Sequence, residues 1–347
     1  MKKTIKKLPK SELAIDVTIP EDVFESYRPK ALAKAGEHVE IAGFRKGKAP
    51  AHIIEKELQP MVLLEEMADL AINEHFPKIL VEEKIDAIGR PMITITKIAK
   101  NNPLEFTATV AVLPEVTLPD YKKIAAKENA TAKDVAVTDE ELDGAIKELK
   151  KAREHDAIHK SGEKHDHAEF EKQEFDSTLT DEYVKQLGPF ETVADFKEKF
   201  RENIKMEKAG HDREKRRIAI LENVSSETTV ELPDVLVENE LENLMGRLKA
   251  DIAQAGIPFE DYLKHIKKTE SEIRTDMRPD AEKRSKIELI MMKIAELEKI
   301  KPDEANIENE TKRLIQTYQD ADPLRARAYV AHMLLNEEIF KFLEAEK

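Results

Sequence analysis

Apolar and polar residues alternate from Ser11 to Ile19 as they do along a half-buried strand, and Pro20-Glu21-Asp22 then opens a helical pattern that runs to about Val39. After an interruption, His52 to Gln59 and Met61 to Glu83 repeat at helical spacing. Met92 to Ile98 and Leu104 to Leu113 read as two further strands, joined through Asn101-Asn102-Pro103, which is a turn by composition. Three strands and several helices predict an α+β domain over residues 1–113.

Residues 114–180 read as a linker and an arm helix. Pro114 and Pro119 punctuate an extended stretch, and a helix is predicted from about Thr138 to Ala157. There Thr138 can cap the first turn with Glu141 three residues on, while Leu142, Ile146 and Leu149 share a face. Residues 158–175 are polar and show no apolar period, which predicts a linker or a frayed helix end. From Leu179 the pattern is helical almost throughout, so residues 181–347 are predicted as an elongated, mostly α-helical domain. Its helices are expected at Thr192–Val224, from Leu232-Pro233-Asp234 to Gly256, at Phe259–Ile266, at Glu270–Ile300 with a break or kink at Pro279, at Pro302–Thr317 and at Pro323–Ala345. Ile287 to Leu297 is apolar on most sides and should be central.

Composition supports a helical chain: 37% of the 347 residues are charged, 5% are aromatic, and Trp and Cys are absent. Without cysteine there is no disulfide, thiol nucleophile or thiolate metal site. The basic start, Met1 to Lys7, is not followed by the apolar run of a signal peptide, and no stretch approaches the roughly 18 apolar residues of a membrane span. No membrane association is expected, and the predicted location is the cytoplasm. Residues 1–113 carry 17 basic and 17 acidic side chains, so the entire net charge of −14 lies beyond them. That body repels RNA, and any contact with a polyanion has to be local.

The local contact is offered by Gly43-Phe44-Arg45-Lys46-Gly47-Lys48-Ala49-Pro50, which stands between two helical patterns. Gly43 and Gly47 permit a tight reversal and Pro50 sets the re-entry into a helix. Burying Arg45, Lys46 and Lys48 without partners would cost several kcal/mol each, so the tip must face solvent with Phe44 among the cations. This octapeptide closely resembles the ribosome-docking signature of the trigger factor family, bacterial chaperones that sit at the exit of the peptide tunnel. The resemblance implies that Phe44, Arg45 and Lys46 contact a protein of the large ribosomal subunit and nearby ribosomal RNA. Gly43, Gly47 and Lys48 would set the loop's shape and field. Leu232 to Glu240, Gly256 to Tyr262 and Ala281 to Ile300 are similar, more loosely, to the family's C-terminal chaperone domain. The implied partners are the ribosome and nascent or unfolded polypeptides; family members can form a homodimer when free, which the sequence alone does not decide here, and no cofactor is expected.

Most members of that family carry an FKBP-like prolyl isomerase between the two parts of the body. Here only residues 151–180 occupy that place, too few to fold alone, with Phe170 and Phe175 as the only Phe residues. No isomerase domain and no catalytic residue are therefore expected. The interval instead holds His155, His159, His165 and His167. They read as a solvated linker, and no metal site is assigned to them. No phosphate-binding glycine loop, HExxH or Gly-x-Ser-x-Gly motif occurs. Met245, Met277, Met291 and Met292 could offer an adaptable client surface, but helical spacing favours the core. Two other classes are weighed against the chaperone: an RNA-binding module, opposed by the acidic remainder, and a metal-responsive helical scaffold using the histidines.

Overall fold

The computed structural model of the protein describes residues 1–37, 44, 50–132, 135–161, 170, 175–318 and 320–347. The chain divides into two compact units, one of residues 1–118 and 228–298, the other of residues 119–227 and 299–347.

The first unit begins with β1 (Lys2–Leu8) and β2 (Glu12–Ile19), followed by α1 (Glu21–Glu25), α2 (Arg28–Gly36), α3 (Ala51–Glu57), α4 (Pro60–Glu82), β3 (Ala87–Lys97) and β4 (Leu104–Val112). The sheet has the order β1-β2-β4-β3 and every pairing is antiparallel. Ile15 lies opposite Ala108, and Val17 opposite Phe106. These four side chains, with Ile19, Leu104 and Val110, point inward against Leu63, Met67, Ala71 and Phe76 of α4. Each large side chain buried there contributes about 1.5–3 kcal/mol.

Two expectations are corrected in this region. The sheet has four strands rather than three, because Lys2–Leu8 pairs along its whole length with β2. Every residue of β1 is exposed, so it has no buried face to leave an alternating signature, and its lysines suit an unpaired outer edge. Its turn places Lys10 and Ser11 at φ 60° and 54°, without the Asn-Gly or Asp-Gly that would announce a hairpin. The pattern read as one helix from Pro20 to Val39 is two, parted at Ser26 and Tyr27. Pro29 lacks the N–H that would continue the ladder and instead sits in the first turn of α2.

The unit is completed by a later segment. Thr117 and Thr229 exchange backbone hydrogen bonds at 3.2 Å in both directions. α9 (Asp234–Gln254), α10 (Phe259–Ile266) and α11 (Glu270–Glu298) follow, numbered after the helices of the second unit given below. Val237 and Leu241 of α9 pack on the fully buried Ala281 of α11, flanked by Leu232, Leu244 and Met277. Arg274 reaches Glu238 and Glu242, and Arg278 reaches Glu238 and Asp234. The helix is not broken at Pro279, which lies inside it between these anchors. The expected central stretch is largely buried at Leu289, Ile290, Met291, Ile294 and Ala295.

The second unit contains α5 (Tyr121–Asn129), α6 (Asp139–Ser161), α7 (Asp181–Leu187), α8 (Val193–Glu227), α12 (Glu304–Thr317) and α13 (Pro323–Ala345). α5 follows the extended stretch of Pro114 to Pro119, in a part of the linker region to which no helix was assigned, and is capped by the Asp120 carboxylate, which accepts from Lys123 N at 3.2 Å. At α6 the capping box forms as read: Glu141 N donates to Thr138 Oγ1 at 3.2 Å, and Thr138 N donates to Glu141 Oε2 at 3.0 Å. The helix continues past Ala157 to Ser161. Leu142 and Ile146 pack with Val184 and Phe196, joining α6, α7 and α8. α8 has 35 residues and spans about 52 Å, with Gly210 inside it.

Candidate functional site

Two short helices carry the candidate docking loop. α2 ends at Gly36 and α3 begins at Ala51, and a Cβ placed on Gly36 would lie 2.6 Å from Cδ1 of the buried Ile54. Glycine thus lets the two legs meet closely at their base. Pro50, at φ −62° and ψ 145°, leads into α3 in an extended conformation. Arg28 ties the base together: its Nε donates to Glu25 Oε2 at 2.8 Å, its Nη2 to Glu25 Oε1 at 3.1 Å, and its Nη1 to Glu55 Oε1 at 2.9 Å. The guanidinium hydrogen bonds hold the Glu25 carboxyl below its ordinary range, and Glu25 in turn raises the Arg28 pKa. Lys34 of α2 pairs with Glu66 of α4. Tyr27, buried between these helices, has its hydroxyl 3.0 Å from His75 Nε2, and burial, followed by the neighbouring Glu74, pushes its pKa up to about 12.

Of the six residues assigned to docking from sequence, Phe44 lies among the described residues and is 42% exposed. Gly43, Arg45, Lys46, Gly47 and Lys48 lie outside the described residues. The exposed ring of Phe44 thus falls in the sequence between α2 and α3, helices fixed to each other by packing and by the Arg28–Glu25–Glu55 charge cluster.

Apolar side chains also reach solvent on the helices. In the second unit these include Met206, Ile218, Tyr318, Leu324, Tyr329 and Met333, with Leu324 80% exposed. In the first unit Ile257, Met292 and Leu297 are exposed. Of the four methionines singled out from sequence, Met245 and Met291 are buried, Met277 is half-buried and Met292 is exposed. The exposed residues on α13 were not anticipated. Their only sequence signal was an excess of apolar residues over the width of one buried stripe, which periodicity alone does not resolve.

A cleft of about 770 Å³ opens beside α6 and α7, lined in part by Lys150, Arg153, Glu154, Phe175 and Tyr183. Lys150, Arg153, Glu154 and Asp176 bring charge to it beside two aromatic rings, and Lys150 pairs with Asp176 at 2.5 Å. Among the described residues no helix is long and apolar enough to cross a membrane.

The family model for bacterial trigger factor protein matches residues 1–149, and the model for the bacterial trigger factor C-terminus matches residues 192–347. Residues 150–191 fall between them. Trigger factor of Clostridium kluyveri is 24% identical over 424 aligned positions, covering 98% of this chain and 97% of its own. That of Clostridium tetani is 23% identical, covering 99% and 98%, and that of Caldicellulosiruptor bescii is 24% identical, covering 93% and 90%. An alignment of 424 positions against a chain of 347 residues means that such a relative carries residues this chain lacks. A solved trigger factor structure, from work on promiscuous substrate recognition in folding and assembly, shares the fold with a TM-score of 0.57 at 16% identity, covering 100% of both chains. With both ends matched to one family, relatives aligned over nearly the full length and a shared fold, the chain belongs to the trigger factor family of ribosome-associated chaperones.

Proposed function

We propose that Gly43, Phe44, Arg45, Lys46, Gly47 and Lys48 form the contact that docks this chaperone on the large ribosomal subunit at the exit tunnel, against a ribosomal protein and nearby ribosomal RNA. The observation that carries the reading is Phe44, exposed between two helices whose base is locked by Gly36–Ile54 packing and by Arg28. A ring in water gains about 1.5–3 kcal/mol when a partner buries it, and the neighbouring cations supply attraction to phosphate or carboxylate. Residues 1–113 act as the docking domain, residues 114–180 as linker and arm, and residues 181–347 as the client-holding domain. The family binds nascent chains, and the exposed apolar side chains of the helices suit many weak, reversible contacts with them, which need no ATP. In this family isomerase activity lies in the FKBP-like domain, which is not detected here, so the protein holds clients without isomerising prolines. It works in the cytoplasm, and when off the ribosome a homodimer is open to it, as to other members of the family.

Replacing Phe44, Arg45 and Lys46 with Ala is expected to abolish co-sedimentation with 70S ribosomes while leaving suppression of aggregation of a denatured client unchanged. Co-sedimentation that survives the triple replacement refutes the assignment of the loop.

A further inference from the structure

The end of α6 carries His155 and His159, four residues apart and therefore on one face of the helix. Their Nε2 atoms stand 3.3 Å apart, with ring centroids 4.5 Å apart and planes inclined at 80°. In the metal-free chain this is hydrogen-bond distance, one ring donating an N–H to the other, and it brings the two Nε2 atoms together on one side of the helix. A zinc-class ion binds imidazole nitrogen at about 2.0–2.1 Å, and two such bonds at the tetrahedral angle place the nitrogens about 3.3–3.4 Å apart. The observed separation is that bite distance.

The surroundings fit the same chemistry. Phe170 is buried, and its ring lies 5.1 Å from that of His155, walling one side of the pair. The Asp156 carboxylate, between the two histidines in sequence, pairs with Lys160 at 2.7 Å and so stays out of competition for an ion. Neutral imidazole is a good ligand for Zn²⁺, Ni²⁺ and Cu²⁺. Among the described residues no group of three or more His, Asp or Glu converges, so His155 and His159 are the two protein ligands that these residues bring together.

We propose that His155 and His159 form a two-imidazole chelate for a divalent transition-metal ion, which staples the last turns of α6. The reading of the histidine tract as a solvated linker without a site is revised to this extent. It does not depend on the docking assignment, since the chelate and the loop are tested on different residues. Because such an ion bridges positions one helical turn apart, binding favours the helical form over the frayed one, and the occupied site stiffens the end of the arm from which relatives would enter an isomerase domain.

Calorimetric titration of the full chain with ZnCl₂ tests this. His155→Ala and His159→Ala are each expected to weaken one binding event at least about tenfold, the scale that loss of even an outer-shell partner produces at metal sites. His265→Ala, on α10, leaves that event unchanged. A variant combining His159→Ala with Lys160→His keeps ten histidines but moves the pair to five-residue spacing, and it is expected to lose the event as well. Far-UV circular dichroism of each metal-free variant establishes that the helices are intact. Zinc binding that survives either single replacement or the change of spacing overturns the proposal. So does binding that is lost only on joint replacement of His165 and His167 with Ala.

Discussion

Arg217 is the one charged side chain buried among the described residues, and its surroundings show what a single guanidinium can organise. From α8 it donates to both oxygens of Glu337, at 3.0 and 2.9 Å, and to Glu344 at 2.5 Å, while lying 4.7 Å from the Phe340 ring centroid. Planar forked donors satisfy both carboxylates at once, which lysine cannot do. Arg217→Lys should therefore destabilise the chain by about 1–2 kcal/mol, a figure reduced from buried-pair values because Glu337 is partly exposed. The hydrogen bond from Arg217 is the main cause holding the Glu337 carboxyl below its ordinary value of 4.5. A lowered carboxylate pKa contributes stability that is complete above that ordinary value and is lost as pH falls through the folded-state value. Urea denaturation at pH 7 and at pH 3.5 should accordingly show a smaller acid-induced loss for Glu337→Gln than for the parent, and equal losses would deny the pair this role. None of this was legible in sequence, where Arg213-Glu214-Lys215-Arg216-Arg217 is a charged run like any solvated face. The exposure of Phe44 was legible for the opposite reason, since the cations that follow it in sequence are costly to bury and draw it to the surface.

Elements with a wide buried face announced themselves, and those without one did not. α4 repeats its buried residues at every turn, from Leu63 and Leu64 to Ile79, and was read to within a residue at each end. The cap at Thr138 and the stop at Gly256, whose φ is 73°, were equally local. β1 and α5 were missed because tertiary pairing, not an internal pattern, decides them: β1 is made by its ladder to β2, and α5 buries only Ala125 completely. β3 gives a test at this scale. Gly89 sits at φ 72° where its register with β4 shifts, and a Cβ there would meet Val235 Cγ2 of α9 at 2.6 Å. The branched, stiff Val235 cannot swing away freely. Gly89→Ala is expected to cost at least about 1–2 kcal/mol from backbone strain alone. Val235→Ala in the same chain should recover the part due to the clash, as chemical denaturation of the single and double variants would measure.

At the scale of the molecule, the boundaries at residues 113 and 180 follow chain order, whereas the compact units do not. The first unit takes residues 1–118 and then waits for residues 228–298, stitched by Thr117–Thr229, by Lys10 to Asp234 at 2.8 Å, and by Ser11 Oγ donating to the Glu231 carbonyl at 3.1 Å. Sequence periodicity identifies elements but not which distant ones share a core, so this exchange was not legible. The short interval in place of an isomerase was, because length alone excludes a folded domain. With proline-containing peptides as substrate, the protein is expected to leave the cis–trans relaxation at its uncatalysed rate, and acceleration that tracks the purified chain would contradict the proposal. The split first unit has a consequence for the protein's own biogenesis. Residues 119–227 must all be translated before Asp234 and Val235 emerge, a delay on the order of 5–20 s at bacterial elongation rates. Throughout that interval the sheet's Lys10 and Gly89 region is complete yet uncovered, so each newly made copy passes through a half-finished stage in which it would itself benefit from a chaperone.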